Sequence, residues 1–313
     1  MQKPTIVCIA AGLVLAASFL IFAPLRYQAR EDHQKVTIVA TTTLIADIIK
    51  ELAHDTVNVH TLMGPGVDPH SYHARLTDVK ALTQADIILY HGLHLEGKMV
   101  DILEKMQRYR PTYAVTDTID RQVLIASDEF DGMYDPHVWF DMDLWQEVVY
   151  HITDILSTHL PAQQELFTRN QQRYTEQLSA CKRFIAKQIA RIDQHKRYLI
   201  TSHDAFSYFG RAFGLTVLGI QGINLDSEPG IKDMQSIVHF ICAHHIPTLF
   251  LETSLPHRSI KAIAQAVHAR GWHVTIGDEL YSDALGYPES NAASYIGMMK
   301  ENVQTIVQGL TTQ

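Results

Sequence analysis

The sequence predicts an α/β protein built as two parallel-sheet βα lobes joined by one long backbone helix. Three observations carry this fold class. Short runs rich in β-branched and aromatic residues alternate with runs at helical spacing along most of the chain. The alternation stops once, over roughly 33 residues with no Gly and no internal Pro, and then restarts. At 313 residues, 46% hydrophobic and 19% charged, the chain is also longer than one small core requires.

In the first lobe, residues 35–160, strands are expected at Val36 to Ala40, Val57 to Leu62, Ile87 to Tyr90 and Thr112 to Val115, each a short apolar or alternating run. Helices are expected between them at Leu44 to Leu52, Leu76 to Ala85 and Leu95 to Met106. Repeated βα order of this kind gives a parallel sheet covered on both faces. Val138 to Phe140 reads as a short extended piece and Leu144 to Leu160 as a helix stopped by Pro161. Residues 161–193 then carry apolar side chains at Leu166, Tyr174, Leu178, Cys181, Ile185 and Ile189 in a polar background. One helix of that length reaches about 50 Å, enough to run from one lobe to the other. In the second lobe, residues 194–313, strands are expected at Tyr198 to Thr201, Leu215 to Leu218, Thr248 to Leu251 and His273 to Ile276. Helices are expected at Phe206 to Phe213, Ile231 to Ala243, Ile260 to Ala269 and Ala292 to Gln308.

Residues 1–29 stand outside this pattern. Thr5 to Leu25 is apolar apart from Thr5 and Ser18, with Lys3 before it and Arg26 and Arg30 behind, and it reads as an export signal. It is also long enough to span a bilayer, and neither Ala23 nor Ala29 has a small residue two positions earlier, so a cleaved signal peptide and a retained N-terminal anchor are both open. Cys8 sits too early for a lipid-modified mature N-terminus. Either way the remainder is expected outside the cytoplasm, periplasmic or at the cell surface. Removing residues 1–29 takes away Lys3 and Arg26 and no acid, so the net charge of -8 becomes more negative, which favours divalent cations and argues against nucleic acid. Export permits a Cys181–Cys242 disulfide, but one residue lies in the long helix and the other in an apolar segment, and two unpaired thiols are the better reading.

The 18 histidines are the unusual feature of the composition. In open α/β sheets ligands sit outside the carboxyl ends of the strands, so only residues just after a strand are well placed for chemistry. His70 follows the strand ending at Leu62, His137 lies in Asp135-Pro136-His137-Val138-Trp139-Phe140-Asp141, His203 follows the strand Tyr198 to Thr201, and Asp283 follows the strand ending at Ile276. These four, two from each half, are expected to converge in the crevice between the lobes. Three imidazoles and a carboxylate suit a divalent first-row ion. His73, His91, His94, His244 and His245 are read as solvated, as supports for ligands or as helix-end partners. Glu252 and Asp141 are expected to orient ligands, with a helix cap as the equal alternative for Glu252. There is no His-Glu-x-x-His, no Gly-x-Ser-x-Gly and no Gly-rich phosphate loop, and the adjacent Ser202-His203-Asp204 cannot form a relay because neighbours after a strand point different ways.

The segments Leu62-Met63-Gly64-Pro65-Gly66-Val67-Asp68-Pro69-His70, Gly92-Leu93-His94-Leu95-Glu96-Gly97-Lys98-Met99, Asp135 to Asp141, Ser202-His203-Asp204-Ala205-Phe206 and Glu279-Leu280-Tyr281-Ser282-Asp283-Ala284-Leu285-Gly286 together resemble the TroA-like zinc/manganese solute-binding proteins of ABC importers. The resemblance runs from about Lys35 to the C-terminus. It implies two α/β lobes on one helix, an ion held between them by His70, His137, His203 and Asp283, and delivery to a membrane permease driven by its ATPase, with the receptor a monomer and not an enzyme. Manganese-selective members often have Glu where this chain has His203, which moves the expectation toward zinc, with manganese as the close alternative. The His-rich loop of many zinc members is missing between Thr116 and Tyr134. Two other functions remain open from sequence: a secreted metallohydrolase with the same constellation, and a surface adhesin with a structural metal.

Overall fold

A computed structural model describes residues 35–127, 132–223 and 230–311. The signal or anchor expected over residues 1–29 lies outside the described residues, among which no helix is long and apolar enough to cross a membrane. The first half is a four-stranded parallel sheet of β1 (Thr37–Ala40), β2 (Asn58–Thr61), β3 (Ile87–Tyr90) and β4 (Thr112–Ala114), in the order β2-β1-β3-β4. Ile38, Ala40, Ile87 and Leu89 face one apolar cluster while Val39 and Ile88 face another. Burial on both faces explains why β1 and β3 are largely apolar runs, whereas edge strand β2 has Val59 as its one apolar residue and alternates exposed with half-buried positions. Helices α1 (Thr43–Ala53), α2 (Leu76–Gln84) and α3 (Val100–Met106) supply the crossovers.

Two differences from the sequence reading have local causes. Val138–Phe140 is a 3-10 turn, not an extended piece: its three apolar side chains are all fully buried in the interior, so a run of large residues imitates a strand. The turn leads into α4 (Met142–His159), capped by Asp141. The long helix α5 spans Gln164–Ile189, 26 residues, after a turn at Pro161–Gln163. That is about 39 Å, shorter than the sequence implies. It ends early because Ile192 folds back into the core and its carbonyl accepts a hydrogen bond from Arg197 Nε at 3.1 Å. Phe167, Tyr174, Leu178, Cys181, Ile185 and Ile189 form its buried stripe, which packs on α1, α4 and the C-terminal helix α9 (Tyr295–Thr311).

In the second half β5 (Tyr198–His203) pairs in parallel with β6 (Thr216–Gln221), and β7 (Thr248–Glu252) with β8 (Thr275–Leu280). Helices α6 (Ser207–Phe213), α7 (Ile231–Ala243) and α8 (Arg258–Ala269) connect them. The chain therefore has the two-lobed α/β architecture with parallel sheets and one long helix. Side chains tie the halves together: Trp139 Nε1 donates to Ser282 O at 3.0 Å, Tyr295 OH to Trp139 O at 2.6 Å, and Leu285 N to Thr43 Oγ1 at 2.8 Å. Cys181 is buried and Cys242 half-buried, and both are free thiols.

Candidate metal centre

Each of the four candidate ligands is aimed by its local backbone. His70 ends the loop after β2, where Gly66 takes φ +71° and Asp68 Oδ1 accepts the His70 N–H at 2.8 Å. His137 follows Pro136, and its N–H donates to Asp135 Oδ1 at 2.9 Å. His203 is the last residue of β5, two positions past the end expected for that strand. Asp283 stands three residues past β8, which runs on to Leu280; the loop between them is clamped by Asn302, whose side chain accepts from Tyr281 N and donates to Tyr281 O.

The structure brings all four together. His70 Nε2 lies 3.2 Å from His137 Nε2, and His203 Nε2 lies 3.4 Å from it. Asp283 Oδ1 is 3.5 Å from His137 Nε2, 3.5 Å from His203 Nε2 and 3.8 Å from His70 Nε2. All four donor atoms fall within 4.8 Å of one another. Ligands about 2.0–2.1 Å from a tetrahedral ion stand about 3.3 Å apart, so these spacings match a cage for one small divalent cation. His137 and His203 are fully buried and Asp283 is 1% exposed; His70, at 6%, is the most open of the set.

The far side of every candidate ligand except His70 is held by a buried partner. Asp135 Oδ1 is 2.7 Å from His137 Nδ1, and Glu252 Oε2 is 2.6 Å from His203 Nδ1 while its Oε1 accepts the His203 N–H at 2.9 Å. These carboxylates put the proton on Nδ1 and turn each Nε2 lone pair toward the centre. Ser254 and Ser282 hydroxyls donate to Asp283 Oδ2 at 2.7 and 2.9 Å, leaving Oδ1 as a buried acceptor with no hydrogen bond. Glu252 has the orienting position read from sequence. Asp141 does not: it caps α4 through Asp143 N and pairs with Arg211 at 3.1 Å. Asp135 holds His137 instead, and its signal was the Asp two residues before the His.

Burial and mutual charge oppose each other in this cluster. Burial disfavours charge on His137, but the Asp135 carboxylate, the hydrogen bond it accepts from Nδ1 and the nearby Asp283 carboxylate outweigh it and raise its pKa to about 9. His203 is likewise held well above the ordinary imidazole value, burial being overcome by Glu252 and Asp283. On Asp283 burial is overcome by the charge of His203 and by the other two imidazoles that face Oδ1, which keep it well below the carboxylate range. His70 has no such partner on its far side, and burial lowers it. The centre is a mutually compensating set of acid and base that a cation can replace protons in.

The other histidines are elsewhere. His73 is exposed, with Nδ1 2.9 Å from Ser71 O. His91 is fully buried, not solvated, and its Nε2 donates to Pro136 O at 2.7 Å, bracing the loop that carries His137. His244 packs on Phe240 and His245 on Trp272.

A family model described as zinc-uptake complex component A, periplasmic, matches residues 38–309. The zinc-binding protein TroA of Treponema pallidum is 41% identical over 276 residues, 88% of this chain and 89% of that protein. The manganese-binding lipoprotein MntA of Bacillus subtilis is 39% identical over 303 residues, 96% of this chain and 99% of that protein. The solved structure of the periplasmic zinc-binding protein TroA superposes with a TM-score of 0.86 at 41% identity, over 88% of this chain and 99% of that one. A manganese-bound periplasmic metal-binding protein from Candidatus Liberibacter asiaticus gives a TM-score of 0.77 at 25% identity, over 88% of this chain and all of that one. With the matched region spanning both halves and all four clustered residues, the chain belongs to the zinc-uptake component A family of periplasmic metal-binding proteins.

Proposed function

We propose that this protein is the extracytoplasmic receptor of a metal importer, which captures one divalent ion with His70, His137, His203 and Asp283 and delivers it to a membrane permease and its ATPase. The observation that carries this reading is the buried set of four donor atoms within 4.8 Å. Four protein donors fill a tetrahedral ion and leave no position for a reactive water, so the site suits capture and not hydrolysis. In this reading the protein acts as a binder without enzymatic activity of its own; a monomer is what the family resemblance implies. Zinc is the main ion and manganese the close alternative, because three imidazoles with one carboxylate favour a borderline metal over a hard one; relatives named for zinc and for manganese fit the same pair. Residues 1–29 serve as signal peptide or anchor, 35–160 and 194–313 as the two lobes and 161–193 as their connection. Export places the receptor in the periplasm or at the cell surface.

Metal analysis of protein purified without added metal, followed by competition between zinc and manganese, tests this. One equivalent of zinc that manganese displaces only in large excess is expected. No bound metal, and no uptake of either ion on titration, would remove the function.

A further inference from the structure

The cage is closed on most sides. Trp139 ties the His137 turn to the Asp283 loop, Ser254 and Ser282 cover Asp283, and Glu252 covers His203. Of the three imidazoles in the cage only His70 retains measurable exposure, and it lines a cavity together with Leu93, His94, Lys98, Met133, Tyr134 and Pro136. The cavity has about 100 Å³ of internal space, several times what one water needs, so an ion that keeps part of its hydration shell fits inside it. His94 is exposed at this cavity. A methyl placed on Gly97 would lie 3.7 Å from His94 Cδ2 and 4.0 Å from both His94 Nε2 and His70 O, so the imidazole hangs over the same glycine that flanks His70.

The backbone that presents His94 is unusual. Gly92, Leu93 and His94 have φ of 89°, 50° and 67°, a left-handed run in which only the glycine is unstrained. Such conformations persist where surrounding contacts over-determine them. Here the buried Glu96 carboxylate does so, accepting from Thr41 OH at 2.6 Å, His91 N at 2.6 Å and Gly92 N at 3.3 Å. The turn that Glu96 holds places the exposed His94 imidazole on the wall of the cavity.

We propose that His94 is a transient ligand on the path of the metal: it takes the hydrated ion at the mouth of this cavity and passes it to His70, and it receives the ion again on release. This inference rests on the capture function proposed above. A way station on the path lowers the barrier in both directions without changing the end states. Its removal therefore slows binding and release by the same factor and leaves their ratio unaltered.

The test uses stopped-flow zinc binding and chelator-driven zinc release with the full chain, comparing the wild type with His94→Asn and His94→Asp. Asn and Asp both tolerate left-handed backbone and have nearly the same shape, but only Asp is a good metal ligand. In His94→Asn both rate constants are expected to fall by about tenfold. His94→Asp is expected to restore both at high ionic strength, where simple attraction of the cation is screened. Unchanged rates in His94→Asn overturn the proposal. So does a loss confined to faster release, which marks His94 as a static support of the bound ion, and so does failure of Asp to restore what Asn loses. Failure of the wild type to bind zinc at equilibrium would instead bring down the capture function itself.

Discussion

Asp135→Asn separates the orientation of a ligand from its presence. Asp135 is fully buried, and its Oδ1 accepts from both the His137 backbone N–H at 2.9 Å and His137 Nδ1 at 2.7 Å, while Oδ2 has no protein partner. An Asn carbonyl in the place of Oδ1 preserves both hydrogen bonds and the ring orientation but removes the negative charge that strengthens Nε2 as a donor. Loss of such a partner typically costs 10–100-fold in metal affinity, about 1.4–2.7 kcal/mol. The new amide NH₂ takes the place of Oδ2 and finds no acceptor, which costs the fold a further 1–3 kcal/mol or so. Zinc affinity is measured by competition with a chelating dye, and metal-free stability by denaturant unfolding of the same samples. A tenfold or larger loss of affinity with a cooperative, modestly destabilised fold is expected. Zinc affinity within twofold of wild type would refute the claim that Asp135 tunes His137.

Three further outcomes are expected. Burial raises the pKa of Asp47 to about 6, against opposing hydrogen bonds from Tyr295 N and Tyr174 OH. The folded state thus holds this proton more tightly than the unfolded chain; the stabilisation is full below about pH 3.8 and is lost as pH rises through about 6, roughly 3 kcal/mol in all. Asp47→Asn, whose single carbonyl can still accept both bonds, should therefore gain stability over wild type at pH 7 and little at pH 4 in denaturant unfolding; an equal difference at both would contradict this. Gly219→Ala places a Cβ 2.3 Å from Asp204 N and 2.6 Å from His203 C, so the end of β5 must shift. A cost of about 1–3 kcal/mol in stability, together with weaker zinc binding in titration, is expected. Burial lifts the Cys181 thiol to about 11, so alkylation of the native protein followed by mass spectrometry should modify Cys242 well before Cys181.

The fold and the four clustered residues were legible because both follow from period and position. Repeated βα order specifies parallel strands, and residues just past the carboxyl ends of those strands meet at one place whatever the lobes' detailed packing. What sequence could not supply depends on contacts made across the fold. Val138 to Phe140 looked extended because tertiary burial, not strand pairing, demands three apolar residues there. Asp141 looked like a partner for a ligand, but an Asp directly before a helix satisfies free backbone N–H groups first. The role of Asp135 is not legible in the sequence, because its reach to the ring two residues later depends on the turn that carries Pro136. For His91 the sequence leaves a solvated and a supporting role open, and the bond from its buried ring to Pro136 O, which braces that same turn from the interior, decides for support.

Crystals grown with zinc and measured on both sides of the zinc absorption edge test the central claim most directly. One anomalous peak is predicted, about 2.0–2.2 Å from His70 Nε2, His137 Nε2, His203 Nε2 and Asp283 Oδ1. A peak coordinated by other residues, or one that lacks Asp283 and carries water in its place, would contradict the four-donor capture site.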